Sequence, residues 1–274
     1  MDSGNGAKLE RFGKYILARP EKRALWKRTL LDKQWQDADA VFRQTKDQGE
    51  WIRNRAIPDK WLIKYGNVAS WVKLTRFRHT GIFPEQAPLW DWIGERIRSA
   101  HSPVKMLNLF AYTGMASLIA ASAGASVTHL DASKPSLDWA RENAAAAQLA
   151  DRPIRWILDD AMKFLKRENT RGQRYEGILM NPPAFGRGPK GEVWQLEDEL
   201  PKLLQACGAV LADRAVFIAI SINGVADSSL ALNNLLTDWL GSRGGTVSAG
   251  ELVLQDSANR PLSMGIYGTW SAQE

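Results

Sequence analysis

The chain has almost no cysteine. A single Cys207 in 274 residues excludes an internal disulfide, and it falls in a predicted helix, where a buried thiol is a core residue rather than a nucleophile. Histidine is scarce too: His79, His101 and His129 have no metal-ligand spacing with Cys207 or one another, so no metal is expected. No uninterrupted apolar run approaches the roughly 18 residues of a membrane-spanning helix. The first residues, Met1-Asp2-Ser3-Gly4-Asn5-Gly6, lack the apolar centre of a secretion signal, so a soluble, cytoplasmic protein without a membrane partner is expected. Internal repeats and low-complexity segments are missing. Negative charge is in short supply only at the front. Against a net charge of +6, residues 1–90 hold 18 Lys and Arg to 10 Asp and Glu, whereas residues 91–274 hold 18 to 20.

What is present is a series of strand-length apolar runs, each ending in a chemically distinctive turn. Val104 to Phe110 is followed by Ala111-Tyr112-Thr113-Gly114 and a helix-like stretch to Ala123, the strand, turn and helix that begin a parallel α/β sheet. The turn lacks the Gly-x-Gly-x-x-Gly spacing that seats a pyrophosphate on a helix N-terminus, which disfavours a nicotinamide or flavin dinucleotide. Ser126 to Leu130 then ends on Asp131, about 20 residues past the turn, where nucleotide-binding sheets place an acid for ribose hydroxyls. Ile154 to Leu158 runs into Asp159-Asp160-Ala161. There a carboxylate beside a free backbone N–H can meet the amino group and ring of an adenine, although Asp160 is equally suited to cap the helix that follows. S-adenosylmethionine has this ribose and adenine without a phosphate. The fourth run, Tyr175 to Met180, leads into Asn181-Pro182-Pro183-Ala184-Phe185 and then a glycine-rich stretch with Arg187 and Lys190. Two prolines withhold two N–H donors, leaving the Asn181 amide and nearby carbonyls for a planar, amino-bearing group, and Phe185 offers a stacking face. The competing reading is an ordinary strand exit, since Pro-Pro cannot continue a ladder.

The organisation suggests two domains. Residues 1–85 read as a small basic strand-rich domain. Lys8 to Arg19 is broken by Gly13, and Trp61 to Tyr65 and Val68 to Thr75 flank a Gly66-Asn67 hairpin turn. Leu25 to Ile57 has no assignable pattern. Lys14, Arg19, Lys22, Arg23, Lys27 and Arg28, interleaved with Tyr15, Trp26 and Trp35, suit a polynucleotide, against the alternative of a solvated face over core tryptophans. Residues 86–274 read as the sheet domain, opened by a helix from Leu89 to Ala100. Phe164 to Tyr175 reads as a charged connection, Glu197 to Leu211 and Leu230 to Leu240 as helices, and the continuously apolar Ala215 to Ile220 as a covered central strand. Two final strands, Val247 to Leu254 and Gly265 to Trp270, flank a loop at Gln255 to Pro261. The fold class expected is α/β: a doubly wound seven-stranded sheet of the class I methyltransferase type, with a small N-terminal strand-rich domain.

Leu107 to Gly114, Asp131-Ala132-Ser133-Lys134, Asp160-Ala161, the Pro-Pro-x-Phe tip at 182–185 and His79 to Gln86 together resemble the bacterial class I S-adenosylmethionine-dependent methyltransferases of large-subunit ribosomal RNA, the group with cytosine-C5 and guanine-N7 enzymes. The resemblance covers residues 76–274. It implies that Phe110, Ala111, Tyr112, Thr113 and Gly114 wrap the methionine end of S-adenosylmethionine. Asp131, Ala132 and Ser133 would hold the ribose, Asp160 and Ala161 the adenine, with Phe83, Gln86 and Asn181 also at the cofactor. Asn181, Pro182, Pro183 and Phe185 would form the catalytic tip, while Arg187 and Lys190 would meet RNA phosphates. Two departures bear on chemistry. Asn181 stands where the family usually has Asp, which makes a nitrogen acceptor the expected one. Ile222 stands where the cytosine-C5 members carry the Cys that activates the ring, so 5-methylcytosine is not the expected product. Met115 also stands where relatives often have a second glycine. Two alternatives stay open at this level: methylation of a protein glutamine or small planar molecule, and a non-catalytic RNA-binding or assembly protein on the same fold.

Overall fold

In a computed structural model, which describes residues 1–44, 49–187, 191, 193–223 and 228–273, the apolar runs sort into two units. The first comprises Met1–Pro84 with Val253–Ser263, and the second Glu85–Leu252 with Met264–Glu274. The tip of the last two strands, 253–263, is grouped with the N-terminal residues.

The first unit contains β1 (Asp2–Gly4), β2 (Ala7–Phe12), β3 (Tyr15–Pro20), α1 (Asp32–Gln36), β4 (Ala40–Gln44) and β5 (Gly49–Arg53), the strands forming one sheet in sequence order. The β3–β4 pair is parallel and the other three are antiparallel. Gly13, at φ 64°, supplies the left-handed residue of the β2–β3 turn. A separate hairpin joins β6 (Trp61–Tyr65) to β7 (Val68–Val72) around the Gly66-Asn67 turn. Leu25 to Ile57 therefore holds a five-residue helix and two strands. Trp35 and Arg19 are both buried, at 5% and 6% exposure, so neither belongs to a surface patch. Arg19 instead pairs with Glu10 at 2.6 Å, and the Trp35 indole donates to Asp2 at 2.9 Å beneath the Arg28 guanidinium. The Asp2 carboxylate also accepts the Leu30 amide and Arg260 from the 253–263 tip.

The second unit begins with α2 (Ala87–Ser99), whose Leu89, Trp90, Ile93 and Ile97 recur at helical spacing and are buried. It continues with β8 (Lys105–Leu109), α3 (Met115–Ser122), β9 (Ser126–Asp131), α4 (Lys134–Ala146), β10 (Ile154–Leu158), α5 (Ala161–Thr170) and β11 (Gly177–Met180). A short hairpin, β12 (Phe185–Arg187) and β13 (Val193–Gln195), precedes α6 (Leu196–Gly208), β14 (Phe217–Asn223), α7 (Ser229–Leu240), β15 (Thr246–Gln255) and β16 (Pro261–Ser271). Seven strands form one sheet in the order β10-β9-β8-β11-β14-β16-β15. The first five run parallel, and β16 turns antiparallel against β14. The covered run that ends in Ile220 lies mid-sheet as its composition predicts. Its Phe217 ring lies across Gly177, where a Cβ would come within 2.5 Å of the ring. One expectation is corrected. The charged connection from Phe164 is largely helix, because Phe164, Leu165 and the paired Glu168 bury one face of α5 while Lys163, Lys166 and Arg167 are exposed. The glycine-rich stretch after the Asn-Pro-Pro tip is entered and left by the paired strands β12 and β13.

Candidate active site

The parallel register aligns four strand ends. Leu109 lies opposite Leu130 and Met180, and Leu158 opposite Asp131. The residues that follow β8, β9, β10 and β11 therefore share one carboxyl edge, which at about 4.8 Å per strand is about 14 Å long. Open α/β sheets bind ligands at this edge.

The turn after β8 is conformationally costly. Phe110 and Tyr112 have φ of 56° and 50°, and Gly114 has 91°. A left-handed aromatic residue costs of order 1–2 kcal/mol, so the turn persists only because its surroundings hold it. The Tyr112 amide donates to Asp131 Oδ2 at 2.7 Å, the Ala111 amide to the Leu130 carbonyl at 3.0 Å, and the Asn143 side chain to the Thr113 carbonyl at 2.9 Å. A Cβ on Gly114 would meet the Ala140 Cβ at 3.0 Å and sit at φ 91°, so a side chain there would be both crowded and strained. Beneath it, Asn108 donates to Ser117 Oγ at 2.8 Å, and that hydroxyl lies 3.0 Å from His129 Nδ1. Burial lowers the His129 pKa to about 3, which keeps the imidazole neutral. Met115, buried, opens α3.

Asp131 ends β9 with each oxygen accepting one backbone N–H, Oδ2 from Tyr112 and Oδ1 from Ser133 at 2.8 Å. Burial raises its pKa, with the Ser133, Tyr112 and Ala132 amides pulling the other way. Each carboxylate oxygen accepts two hydrogen bonds, so capacity for a ribose diol remains. The Ser133 side chain caps α4, accepting the Ser136 amide. Asp160 caps α5, its Oδ1 accepting the Lys163 amide at 2.9 Å, while Ala161 at the first helical position carries an N–H with no intrahelical partner. Neighbouring Asp159 pairs with Arg167. A cradle closed by Gly114, a half-buried carboxylate with spare lone pairs and a helix-start amide fit the ribose, adenine and amino-acid parts of S-adenosylmethionine.

At β11 the ladder runs one residue past the strand, the Asn181 amide N–H donating to the Leu109 carbonyl at 3.2 Å. Among the described residues nothing hydrogen-bonds the Asn181 side chain. The expectation that the tip's carbonyls are free needs correcting. The Pro183 carbonyl accepts the Trp194 indole N–H at 2.6 Å, and the Ala184 carbonyl accepts the Leu196 amide at 3.0 Å, because the β12–β13 hairpin folds back on the tip. Pro182 is buried and keeps its carbonyl unengaged among the described residues. Phe185 is 59% exposed. Arg187 ends β12 opposite Val193, and Lys190 lies outside the described residues. Trp194, which no sequence pattern singles out, also packs its ring 5.0 Å from that of Phe110, and so joins the tip to the turn after β8. The signal for the Asn108–Ser117–His129 chain, polar residues set singly in apolar runs, was there to be used.

Gln86 is buried, with its amide 3.5 Å from Ser221 Oγ, and Glu85 accepts the Asn223 side chain at 3.0 Å. Phe83 belongs to the first unit, its ring 5.3 Å from that of His79. Ile222 is 2% exposed in the core. Cys207 is wholly buried in α6, and burial raises its thiol pKa, so no thiolate serves this edge. Among the described residues no cluster of His, Cys, Asp and Glu could hold a metal, and no helix is long and apolar enough to cross a membrane.

No protein-family model matches the chain. Curated relatives named ribosomal RNA large subunit methyltransferase K/L align to part of it. That of Chromohalobacter salexigens is 30% identical over 174 residues and that of Pseudomonas paraeruginosa 36% over 153. These alignments take in 62% and 55% of this chain but only 23% and 20% of the relatives, so the chain matches about a fifth of their length. A methyltransferase-fold protein, SMU.776, crystallised with S-adenosylhomocysteine, superposes with a TM-score of 0.73 at 18% identity over 97% of this chain and 71% of its own, a likeness of fold. The S-adenosylmethionine-dependent methyltransferase of Agrobacterium tumefaciens superposes over 100% of this chain and 89% of its own, with a TM-score of 0.96 and 42% identity. With that likeness over its whole length, and with the glycine-closed turn and the half-buried Asp131 on adjacent strand ends, the chain belongs to the S-adenosylmethionine-dependent methyltransferases.

Proposed function

We propose that the enzyme methylates a base nitrogen of RNA, large-subunit ribosomal RNA being the substrate, in the cytoplasm. The observation that carries the acceptor is Asn181, whose side-chain amide has no partner among the described residues, on the strand-end edge. The names of the partial relatives and the basic balance of residues 1–90 support the RNA.

Asp131 would hold the ribose, Asp160 and Ala161 the adenine, and Phe110 to Gly114, with Gln86, the rest of the cofactor. S-adenosylmethionine supplies an already activated methyl group. What the protein adds is orientation. The Asn181 side-chain oxygen and the Pro182 carbonyl accept the hydrogens of an amino nitrogen and turn its lone pair inward, while Phe185 stacks on the extruded base. Arg187 and Lys190 would meet flanking phosphates. The absence of a usable thiolate favours this direct route over carbon methylation.

The test is transfer of a labelled methyl group to ribosomal RNA from a strain lacking the gene, followed by nucleoside analysis. An N-methylated base is expected. Label confined to protein, or recovered on a pyrimidine carbon, would overturn the reading.

A further inference from the structure

Exposed large apolar side chains among the described residues include two phenylalanines, Phe185 at the tip and Phe77 in the first unit, the latter 73% exposed. Phe77 stands between Arg76 and Arg78, both exposed. An apolar ring at a loop crest is normally mobile, but this crest is braced from below. The Trp51 indole N–H reaches the Thr75 carbonyl at 2.9 Å and the Phe77 carbonyl at 3.3 Å. The Thr75 hydroxyl accepts the Phe77 amide at 3.2 Å and lies 2.8 and 2.7 Å from the Phe77 and His79 carbonyls. From the other side, Arg19 donates to the Arg78 carbonyl at 2.9 Å while its guanidinium is held by half-buried Glu10. Burial lowers the His79 pKa to about 4, with Arg19, Arg78 and Lys8 adding to the effect, so the imidazole contributes no charge. The crest backbone is thus held at Thr75, Phe77, Arg78 and His79, and the Phe77 ring is left to solvent between two exposed arginines in the chain, Arg78 reaching the Pro20 carbonyl at 3.4 Å.

An exposed aromatic ring on a braced backbone, with an exposed arginine next to it on each side in the chain, fits one ligand chemistry well: an unpaired base on the ring, with the flanking phosphates within reach of the arginines. We infer that Arg76, Phe77 and Arg78 form a stacking site for an unpaired RNA nucleotide, separate from the site at the strand ends. The inference rests on the RNA reading above and adds an anchor in the N-terminal unit. A protein partner would find the ring equally apolar, but it would gain nothing from the two positive charges in a region already carrying 18 basic to 10 acidic residues.

The test uses the full chain, a fluorescein-labelled single-stranded RNA oligomer and ribosomal RNA, with anisotropy, methyl transfer and calorimetric S-adenosylmethionine binding read in parallel. Phe77→Ala should weaken oligomer binding roughly tenfold with an unchanged salt slope, and Phe77→Trp should restore it. Phe77→Leu, apolar but unable to stack, should behave as the alanine variant. Arg76→Gln and Arg78→Gln should each lower the salt slope by about 0.7, as for one phosphate of a single strand. None should alter cofactor affinity. Wild-type RNA affinity in Phe77→Ala would overturn the inference alone and leave the ring to a protein partner. A wild-type enzyme that binds S-adenosylmethionine but neither binds nor methylates RNA would overturn the RNA reading as well.

Discussion

The ends of β9 and β11 lie two strands apart on one sheet edge and are built in opposite ways. At β9 the Asp131 carboxylate is engaged by backbone amides on both oxygens, and the turn beside it is held by Leu130, Asn143 and a glycine at a positive φ. At β11 the Asn181 side-chain amide has no partner among the described residues, and the chain continues through two prolines and an alanine to an exposed phenylalanine. A ligand that is the same in every turnover is best met by groups already in place, since nothing then reorganises on binding. An acceptor that has to arrive and leave is better met by a group whose hydrogen-bonding capacity is still unspent.

The sharpest way to break this contrast is Asn181→Ala. Removal of the unspent amide should cut methyl transfer by about a hundredfold or more and leave the calorimetric affinity for S-adenosylmethionine nearly unchanged. An active variant would mean that the two ends do not divide the work. Next comes Asp131→Asn, which should weaken cofactor binding roughly ten- to hundredfold through loss of charge-assisted hydrogen bonds to the ribose. Acidity separates the ends further. Because burial raises the Asp131 pKa above its unfolded value, the native state holds the extra proton between the two values, and that group's contribution to stability falls as pH rises through the window. Cofactor affinity runs the other way, weakening on acidification as the carboxylate protonates, and Asp131→Asn should flatten the profile measured in acidic to neutral buffers. The smallest effect belongs to the residue that links the ends. Trp194→Phe keeps the ring against Phe110 and loses the N–H on Pro183, so kcat should fall about fivefold, near 1 kcal/mol, with cofactor affinity unmoved.

The strand ends were legible because each mainly apolar run is followed within a few residues by a type out of place in a core: Gly114, Asp131, Asp160 and Asn181. The covered run from Ala215 to Ile220 was legible because nothing polar interrupts it. The region from Leu25 to Ile57 was not. Its helix is five residues long and buries only Trp35, so no period exists to be read. The β12–β13 hairpin escaped because its strands are three residues each, separated by glycines and a proline. Trp194 escaped with it: an indole reaching a carbonyl 11 residues earlier has no local signature. Arg19 and Trp35 looked like surface chemistry because a buried ion pair and a capped carboxylate are invisible until Glu10 and Asp2 are seen beside them.

The placement of residues 253–263 in the first unit has a consequence for how the chain is made. Arg260 donates to Asp2, to the Ser3 carbonyl and to the Lys27 carbonyl, and the Ser257 amide donates to the carbonyl of Met1. Residues 1–84 leave the ribosome well before residues 253–263 and lack these partners until that segment has followed. Closing so long a loop costs about 3 kcal/mol more than closing one of about ten residues. A chain cut before Val253 would therefore leave the buried Asp2 carboxylate short of its arginine and the Ser3 and Lys27 carbonyls short of a donor.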